Sequence, residues 1–210
     1  MQAIVEYYTT LPFWELIAVF TALLYVVLAA KESIWCWPAA LISTVIYTAI
    51  FYDVYLWMDG LLQVYYFAMA IYGWYCWQSL AGKKALAIQQ WPVSWHIKAI
   101  VLLSVLSLLV GWFMANYTPA HFPYIDAATT VFAVFATYLV AKKVLENWIY
   151  WIAIDAVSIY LYIEKQLMPT AVLFVLYVFM AIYGYIQWSK RMTMNDNALE
   201  HERDSVPSSR

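Results

Sequence analysis

The sequence predicts an all-α integral membrane protein with seven transmembrane helices in a 3+1+3 arrangement, in which two parallel three-helix repeats flank a central linker helix. Three observations lead to this fold class. Of 210 residues, 66% are hydrophobic and 11% are charged, whereas soluble domains are about half apolar and a quarter charged. Seven apolar segments of helical length follow one another along the chain. The sequence also matches itself at a shift of 111 residues.

The seven segments have the length that a membrane requires, since a spanning helix needs roughly 17–25 largely apolar residues. Most links between them are short. The two longer links, 80–96 and 115–123, contain Gly82, Pro92 and Pro119, which favour loops. After the last segment the chain turns polar, which predicts a disordered tail. The predicted spans are 14–30, 36–52, 56–79, 97–114, 124–141, 147–163 and 169–189.

Basic residues are divided unequally between the two sides of the predicted helix bundle. Lys165 is alone on one side, whereas the alternate loops and the tail carry ten basic residues on the other. Because cytoplasmic loops are enriched in Lys and Arg, we expect the N-terminus outside and the C-terminus in the cytoplasm. The ten are Lys31, Lys83, Lys84, Lys98, Lys142, Lys143, Lys190, Arg191, Arg203 and Arg210.

Composition and motifs argue against several classes of protein. No basic stripe is present that would follow a phosphate backbone, so nucleic acid is not an expected partner. Cys36 and Cys76 are the only cysteines and predict no disulfide framework. The H-E-x-x-H zinc motif, the G-x-S-x-G nucleophile motif and the phosphate-binding loop are absent. The sequence therefore predicts no enzyme, no cofactor and no metal site.

The self-match identifies the repeated unit as three helices. Between 15–77 and 126–188, 15 of 63 positions are identical, and M-A-I-Y-G at 69–73 recurs at 180–184. Four spans separate equivalent positions, so both copies cross the membrane in the same direction. In transporters with parallel repeats the substrate site lies at the repeat interface near the midplane. The alternative is a duplicated structural membrane protein. The predicted domains are an N-terminal repeat with its loop at 1–96, a linker helix with an outer loop at 97–123, a C-terminal repeat at 124–190 and a disordered cytoplasmic tail at 191–210.

One face of the sixth span combines an acidic residue with two indoles. Asp155 lies near the middle of this span, where a carboxylate costs at least a few kcal/mol unless it faces a cavity or a partner. Trp148, Trp151 and Ser158 share its helix face. Such a face suits a flat organic cation, bound by stacking and cation–π attraction. The alternative is an Asp155 that is paired by a neighbouring helix or protonated, with the tryptophans as packing residues and interface anchors.

The third and seventh spans present a second pair of matching faces. Gln63 and Tyr66 in the third correspond to Phe174 and Tyr177 in the seventh. Gln63 therefore has no polar counterpart, which predicts that one half was specialised for recognition. Small residues on these faces predict close helix contact: Ala70, Gly73, Ala181 and Gly184.

Several other polar residues carry weaker signals. Asn147, which opens the sixth helix, is predicted as either a helix cap or a ligand contact. Glu15 and Asp126 are expected in water near the outer surface. The histidines are expected in loops and in the tail, without a functional role: His96, His121 and His201.

Four motifs resemble the PnuC family of nicotinamide riboside transporters. The segment E-N-W-I-Y-W at 146–151, followed by Asp155, is similar to the E-N-W-x-x-W segment of that family. The resemblance covers about 14–190 and keeps the order of the motifs. The other three are W-C-W-P at 35–38, L-L-Q-V-Y-Y at 61–66 and I-Y-G-W-Y-C-W at 71–77.

The resemblance implies a 3+1+3 fold, like a full-length version of the SWEET sugar transporters. It also implies uptake of a vitamin precursor by facilitated diffusion across the bacterial inner membrane, with a separate cytoplasmic kinase trapping the substrate. The motifs place substrate contact on Gln63, Trp148, Trp151 and Asp155, and less directly on Tyr66 and Tyr177. Candidate partners for ribose hydroxyls are Gln63, Thr44, Ser158 and Asn147.

The resemblance leaves the substrate open. Many members carry an amide where this chain has Asp155. The pyridinium of nicotinamide riboside and the thiazolium of thiamine both suit an aromatic cation site. Nicotinamide riboside is the leading hypothesis and thiamine the alternative. A seven-span receptor is a more distant alternative, disfavoured by the short tail and the parallel duplication. The expected partners are the lipid bilayer and a small cation; a homo-oligomer is compatible with the sequence.

Overall fold

In a computed structural model of the protein, residues 13–53, 57–78 and 86–205 are described, and they form seven helices without a β-strand. Four helices are long and apolar enough to cross a membrane: Phe13–Ala30, Val93–Tyr117, Pro123–Ala141 and Met168–Asn195. The seven helices are α1 (Phe13–Ala30), α2 (Cys36–Asp53), α3 (Trp57–Trp77), α4 (Val93–Tyr117), α5 (Pro123–Ala141), α6 (Asn147–Glu164) and α7 (Met168–Ser205).

The remaining helices, α2, α3 and α6, have the length of a span, with 18, 21 and 18 residues. They are richer in polar and aromatic residues than the other four because several of these side chains face inward, among them Thr44, Gln63 and Asp155. The outer surface of the bundle is apolar. On α4, Leu102, Leu108 and Leu109 are 61–69% exposed, as expected for side chains in contact with lipid.

Six of the helices pack in a closed ring. Going round it, α1 contacts α2, α2 contacts α3, α3 contacts α5, α5 contacts α6, α6 contacts α7, and α7 contacts α1. The linker helix α4 lies outside this ring, and its main helix contact is with α5. The ring therefore surrounds a central space to which all six helices contribute side chains.

Tight helix contacts in the ring depend on two glycines, as the small-residue pattern predicted. A Cβ placed on Gly73 of α3 would overlap the indole of Trp37 on α2. At the equivalent place in the second half, a Cβ on Gly184 of α7 would lie 2.7 Å from the indole of Trp148 on α6. Each glycine thus lets a tryptophan at the start of one helix lie flat against the backbone of the next.

Two predicted boundaries differ from the structure. Helix α4 begins at Val93 rather than at 97, so His96 belongs to a helix and not to a loop, and it is 9% exposed. Helix α7 continues to Ser205, where the sequence predicted a disordered tail from 191. The extension contains no Pro or Gly, and adding residues to an existing helix avoids the cost of nucleation.

Candidate functional site in the helix ring

A cavity of about 340 Å³ lies at the centre of the ring, which is within the size range of small-molecule sites. Its wall is formed by side chains from all six ring helices. It is lined by Ala22, Tyr25, Val26, Ala29, Trp37, Ala40, Ser43, Thr44, Tyr47, Gln63, Tyr66, Ala70, Thr137, Val140, Trp148, Trp151, Asp155, Phe174, Tyr177 and Ala181.

The cavity brings together seven of the nine side chains predicted to contact a substrate. They come from four helices of the ring, so residues far apart in sequence meet at one place. These seven are Thr44 from α2, Gln63 and Tyr66 from α3, Trp148, Trp151 and Asp155 from α6, and Tyr177 from α7.

The other two predicted residues, Asn147 and Ser158, do not line the cavity. Asn147 is fully buried, and its Nδ2 donates to the carbonyl oxygen of Val144 at 2.6 Å. The N-cap of α6 is Glu146, not Asn147. The Asn147 side chain therefore neither caps the helix nor lines the cavity; it bonds to the turn that precedes α6. Ser158 is 4% exposed and lies beyond the cavity wall.

Asp155 places a carboxylate in this largely aromatic cavity. The residue is 4% exposed, and no other residue in the described part of the chain forms a hydrogen bond or an ion pair with it. An unpaired carboxylate at membrane depth costs a few kcal/mol, so this position favours a cationic ligand. The alternative in which a neighbouring helix pairs Asp155 is not what the described residues form.

The position equivalent to Asp155 in the first half is Thr44, which also lines the cavity. Its Oγ1 donates to the carbonyl oxygen of Leu41 at 3.0 Å, which leaves the oxygen lone pairs available to accept. The two equivalent positions therefore present different groups to the cavity: a hydroxyl from α2 and a carboxylate from α6.

Several polar lining residues were missed by the sequence analysis. Thr137 on α5 is 6% exposed and donates to the carbonyl oxygen of Ala133 at 2.8 Å. Ser43 on α2 donates to the carbonyl oxygen of Ala18 at 3.1 Å. Both bond to backbone as hydroxyls in apolar helices commonly do. The repeat could not have identified Thr137, because most aligned positions of the two copies differ, as Thr137 and Val26 do.

A tryptophan cluster closes the cavity at the end of the ring where α2 and α6 begin. Trp37 and Trp148 line the cavity, and Trp77 and Trp188 pack behind them. Neighbouring ring centroids lie 5.2 Å apart for Trp37 and Trp77, 6.0 Å for Trp77 and Trp188, and 5.4 Å for Trp148 and Trp188. At these spacings the four indoles form one continuous packed layer.

The same end of the ring, here called the basic end, carries the buried Lys143 and, nearer the surface, Lys31, Lys142, Lys190 and Arg191. Two hydrogen bonds there join the N-terminal and C-terminal halves: Trp77 Nε1 donates to the Ala141 carbonyl at 3.2 Å, and Trp188 Nε1 donates to the Ala29 carbonyl at 2.9 Å. Such bonds and the indole layer seal the cavity from that side.

An ion triad lies over the tryptophan cluster. Glu32, in the turn after α1, accepts from Lys143 Nζ at 2.6 Å and from Arg191 at 3.1 Å. Lys143 Nζ also lies 4.6 Å from the centroid of Trp77. Glu32 and Lys143 are 111 residues apart, so equivalent turns of the two halves carry opposite charges and pair directly.

At the opposite end, Asp126 at the start of α5 pairs with Lys165, which follows α6, at 3.0 Å. Asp126 was expected to be solvated; it is partly exposed but engaged in this ion pair. Lys165 is the only basic residue that the sequence assigned to this side. Because Asp126 pairs with Lys165, this end carries little free positive charge.

Comparison with known proteins identifies relatives of one kind. The family model described as nicotinamide mononucleotide transporter matches residues 12–190. The nicotinamide riboside transporter PnuC of Escherichia coli strain K12 is 25% identical, over 89% of this chain and 90% of that protein. The riboflavin/roseoflavin transporter RibM of Streptomyces davaonensis is 24% identical, over 79% of each chain.

A solved structure has the same fold. The crystal structure of the vitamin B3 transporter PnuC superposes with a TM-score of 0.72 and 21% sequence identity, over 92% of this chain and 87% of that one. At this identity the likeness concerns the arrangement of helices.

Proposed function

The chain belongs to the nicotinamide mononucleotide transporter family, and we propose that it is a facilitated-diffusion uptake transporter for nicotinamide riboside across the inner membrane of a bacterium. The observation that carries the proposal is the unpaired Asp155 carboxylate in an aromatic cavity. Nicotinamide riboside combines a flat pyridinium with a hydroxylated sugar, and the cavity offers partners for both parts.

The pyridinium would lie against the indoles of Trp148 and Trp151, with Asp155 as its counter-charge. A ring cation on an indole gains about 0.5–2 kcal/mol, more when water is excluded. The Gln63 amide and the hydroxyl groups of Thr44 and Tyr66 supply hydrogen bonds of the kind that a ribose needs. These three polar groups lie on the α2–α3 side of the cavity, so base and sugar would bind to different halves.

Transport would follow from the predicted 3+1+3 arrangement, in which α1–α3 and α5–α7 form two parallel repeats and α4 links them. Rocking one repeat against the other would open the basic end, which the positive-inside rule places in the cytoplasm. The Glu32–Lys143 pair and the bonds from Trp77 and Trp188 all cross between the repeats. Opening this end therefore requires these contacts to separate together.

The direction of net transport would come from the substrate gradient. The sequence contains no phosphate-binding loop that could couple ATP hydrolysis to movement. Phosphorylation by a separate cytoplasmic kinase would keep the internal concentration of free substrate low. The C-terminal extension of α7 would then lie on the cytoplasmic side and the N-terminus outside.

Thiamine is the second candidate, and Asp155 is the observation that favours it. A carboxylate accepts hydrogen bonds and carries charge, whereas the amide of many relatives both donates and accepts. The amino group of thiamine would donate a hydrogen bond to a carboxylate at this position, and the positive charge of its thiazolium ring would be attracted to it. Riboflavin is uncharged, so an unpaired carboxylate in the cavity gives it no comparable advantage.

Uptake into proteoliposomes tests the proposal and separates the candidates. We expect purified protein to accelerate the entry of labelled nicotinamide riboside without an ion gradient or ATP, and unlabelled thiamine to compete weakly. Stronger competition by thiamine than by unlabelled nicotinamide riboside would make thiamine the substrate and leave the proposed transport mechanism unchanged. Binding without any flux would contradict transport and favour a receptor.

A further inference from the structure

The tryptophans that line the central cavity are arranged unequally on α2 and α6. Where these helices begin, Trp37 and Trp148 occupy equivalent positions of the repeat, and both belong to the cluster that closes the cavity. Three residues further along, α6 carries another tryptophan, Trp151, whereas the equivalent residue of α2 is Ala40. Both of these residues line the cavity. The row of indoles therefore continues on α6 and stops on α2.

Ala40 and Trp151 face each other across the cavity. Going round the ring in either direction, two helices separate α2 from α6, so these two helices lie on opposite sides of it. Each residue follows a member of the tryptophan cluster by three positions, which is about 4.5 Å along a helix axis. The two side chains therefore stand at a similar height above the cluster, one of them large and the other small.

Ala40 is open to the cavity, whereas its neighbour in sequence is buried by packing. Ala39 is buried, but Ala40 is partly exposed. The lipid-facing side of α2 is marked by Ile42 and Val45, which are both exposed. Ala40 lies on the other face of the helix, one turn before Thr44, which also lines the cavity. The exposed surface of Ala40 is therefore cavity surface, with free space in front of its methyl group.

The space in front of Ala40 lies on the side of the cavity that suits a sugar. Helix α1 contributes four lining side chains and α5, its repeat counterpart, only two, so more of the wall belongs to the N-terminal half. The Thr44 hydroxyl donates to its own helix and can accept from a sugar hydroxyl that lies over Ala40. Across the cavity, Trp151 offers a flat surface for an aromatic ring.

Building on the proposed function, we propose that Ala40 determines the size of the substituent that the cavity admits on the pyridinium nitrogen. With the ring against Trp151, the small side chain of Ala40 leaves room for a ribosyl group on the opposite side. A larger side chain at this position would occupy that room and exclude the sugar. It would not reach a pyridinium that carries only a methyl group. Ala40 thus acts on specificity through size, whereas Asp155 acts through charge.

Calorimetric titration of the purified full chain with two cations tests this role. 1-Methylnicotinamide has the charged ring of nicotinamide riboside but a methyl group in place of the ribose. We expect Ala40→Leu to raise the Kd of nicotinamide riboside roughly tenfold or more and that of 1-methylnicotinamide by less than about twofold. Ala49→Leu is the matched control and should change neither Kd, because Ala49 is exposed on the same helix and does not line the cavity.

If Ala40→Leu does not fold, Ala40→Val is a smaller obstruction and should give the same selective loss, of roughly threefold or more. An unchanged Kd for nicotinamide riboside in the folded variant would overturn the role of Ala40 and leave the proposed function standing. An equal loss of both ligands, or a parent protein that binds nicotinamide riboside but not 1-methylnicotinamide, would overturn it as well, because ring and sugar would then not be bound separately. A parent protein that does not bind nicotinamide riboside would refute the proposed function and this inference with it.

Discussion

Replacing Asp155 by Asn should weaken binding of the cationic substrate and at the same time stabilise the empty protein. The Asn side chain has nearly the same shape, so the change isolates the charge. Two unit charges about 5 Å apart interact by about 3 kcal/mol at an effective dielectric constant of 20. The amide dipole recovers part of this, which leaves a loss of about 2 kcal/mol, or roughly 30-fold in Kd.

The stability effect has the opposite sign because Asp155 is buried without a partner in the described part of the chain. Removing its uncompensated charge should raise the unfolding free energy of the ligand-free protein by about 1 kcal/mol. For a chain of this size that corresponds to an increase of about 2–4 °C in Tm. Glu164→Gln, at the exposed end of the same helix, is the matched control and should change neither quantity.

Calorimetric titration measures the first effect and thermal unfolding without ligand the second. An unchanged Kd in Asp155→Asn would refute the counter-charge role. A lower Tm would show that Asp155 is paired in the empty protein, contrary to the structure. Asp155→Ala, which removes both charge and hydrogen-bonding capacity, should abolish uptake while expression and folding persist.

Three further perturbations test other parts of the structure. Trp151→Ala should raise the Kd of the substrate about 5- to 30-fold, the equivalent of 1–2 kcal/mol; an unchanged Kd in calorimetry would make Trp151 a packing residue. Glu32→Gln removes both ion pairs of the triad and should loosen the basic end, so that a thiol reagent reaches buried Cys36 faster. The reaction is measured with Cys76 replaced by serine; equal rates with and without Glu32→Gln would mean that the triad does not hold this end closed. Gly184→Ala should destabilise the protein by about 1–3 kcal/mol, since its methyl group meets the Trp148 indole; a normal Tm would refute the tight contact.

The cavity residues that the sequence identified are those with an unusual energetic cost. Asp155 and Gln63 were recognisable because polar groups are expensive in an apolar helix unless they face a cavity or a partner. Trp148 and Trp151 follow from helical spacing once Asp155 is chosen. Helical spacing also selected Ser158, which lies one turn too far along α6 to reach the cavity.

Other features depend on tertiary contacts that no local pattern carries. A threonine that bonds its own helix resembles a packing residue, so Thr137 gave no signal until its helix was placed against the cavity. His96 was assigned to a loop because Pro92 suggested a break, whereas Pro is well tolerated at the start of a helix. The pairing of Glu32 with Lys143 requires two turns 111 residues apart to meet, which only the closed ring reveals.

The most direct test of a charge-selective cavity compares nicotinamide riboside with its reduced form, which has nearly the same shape and hydroxyl groups but an uncharged dihydropyridine ring. Calorimetric titration of the purified protein with each ligand isolates the contribution of the positive charge. Attraction to Asp155 and the tryptophans predicts that the oxidised form binds at least tenfold more tightly. Equal affinities would contradict recognition of a cation in this cavity.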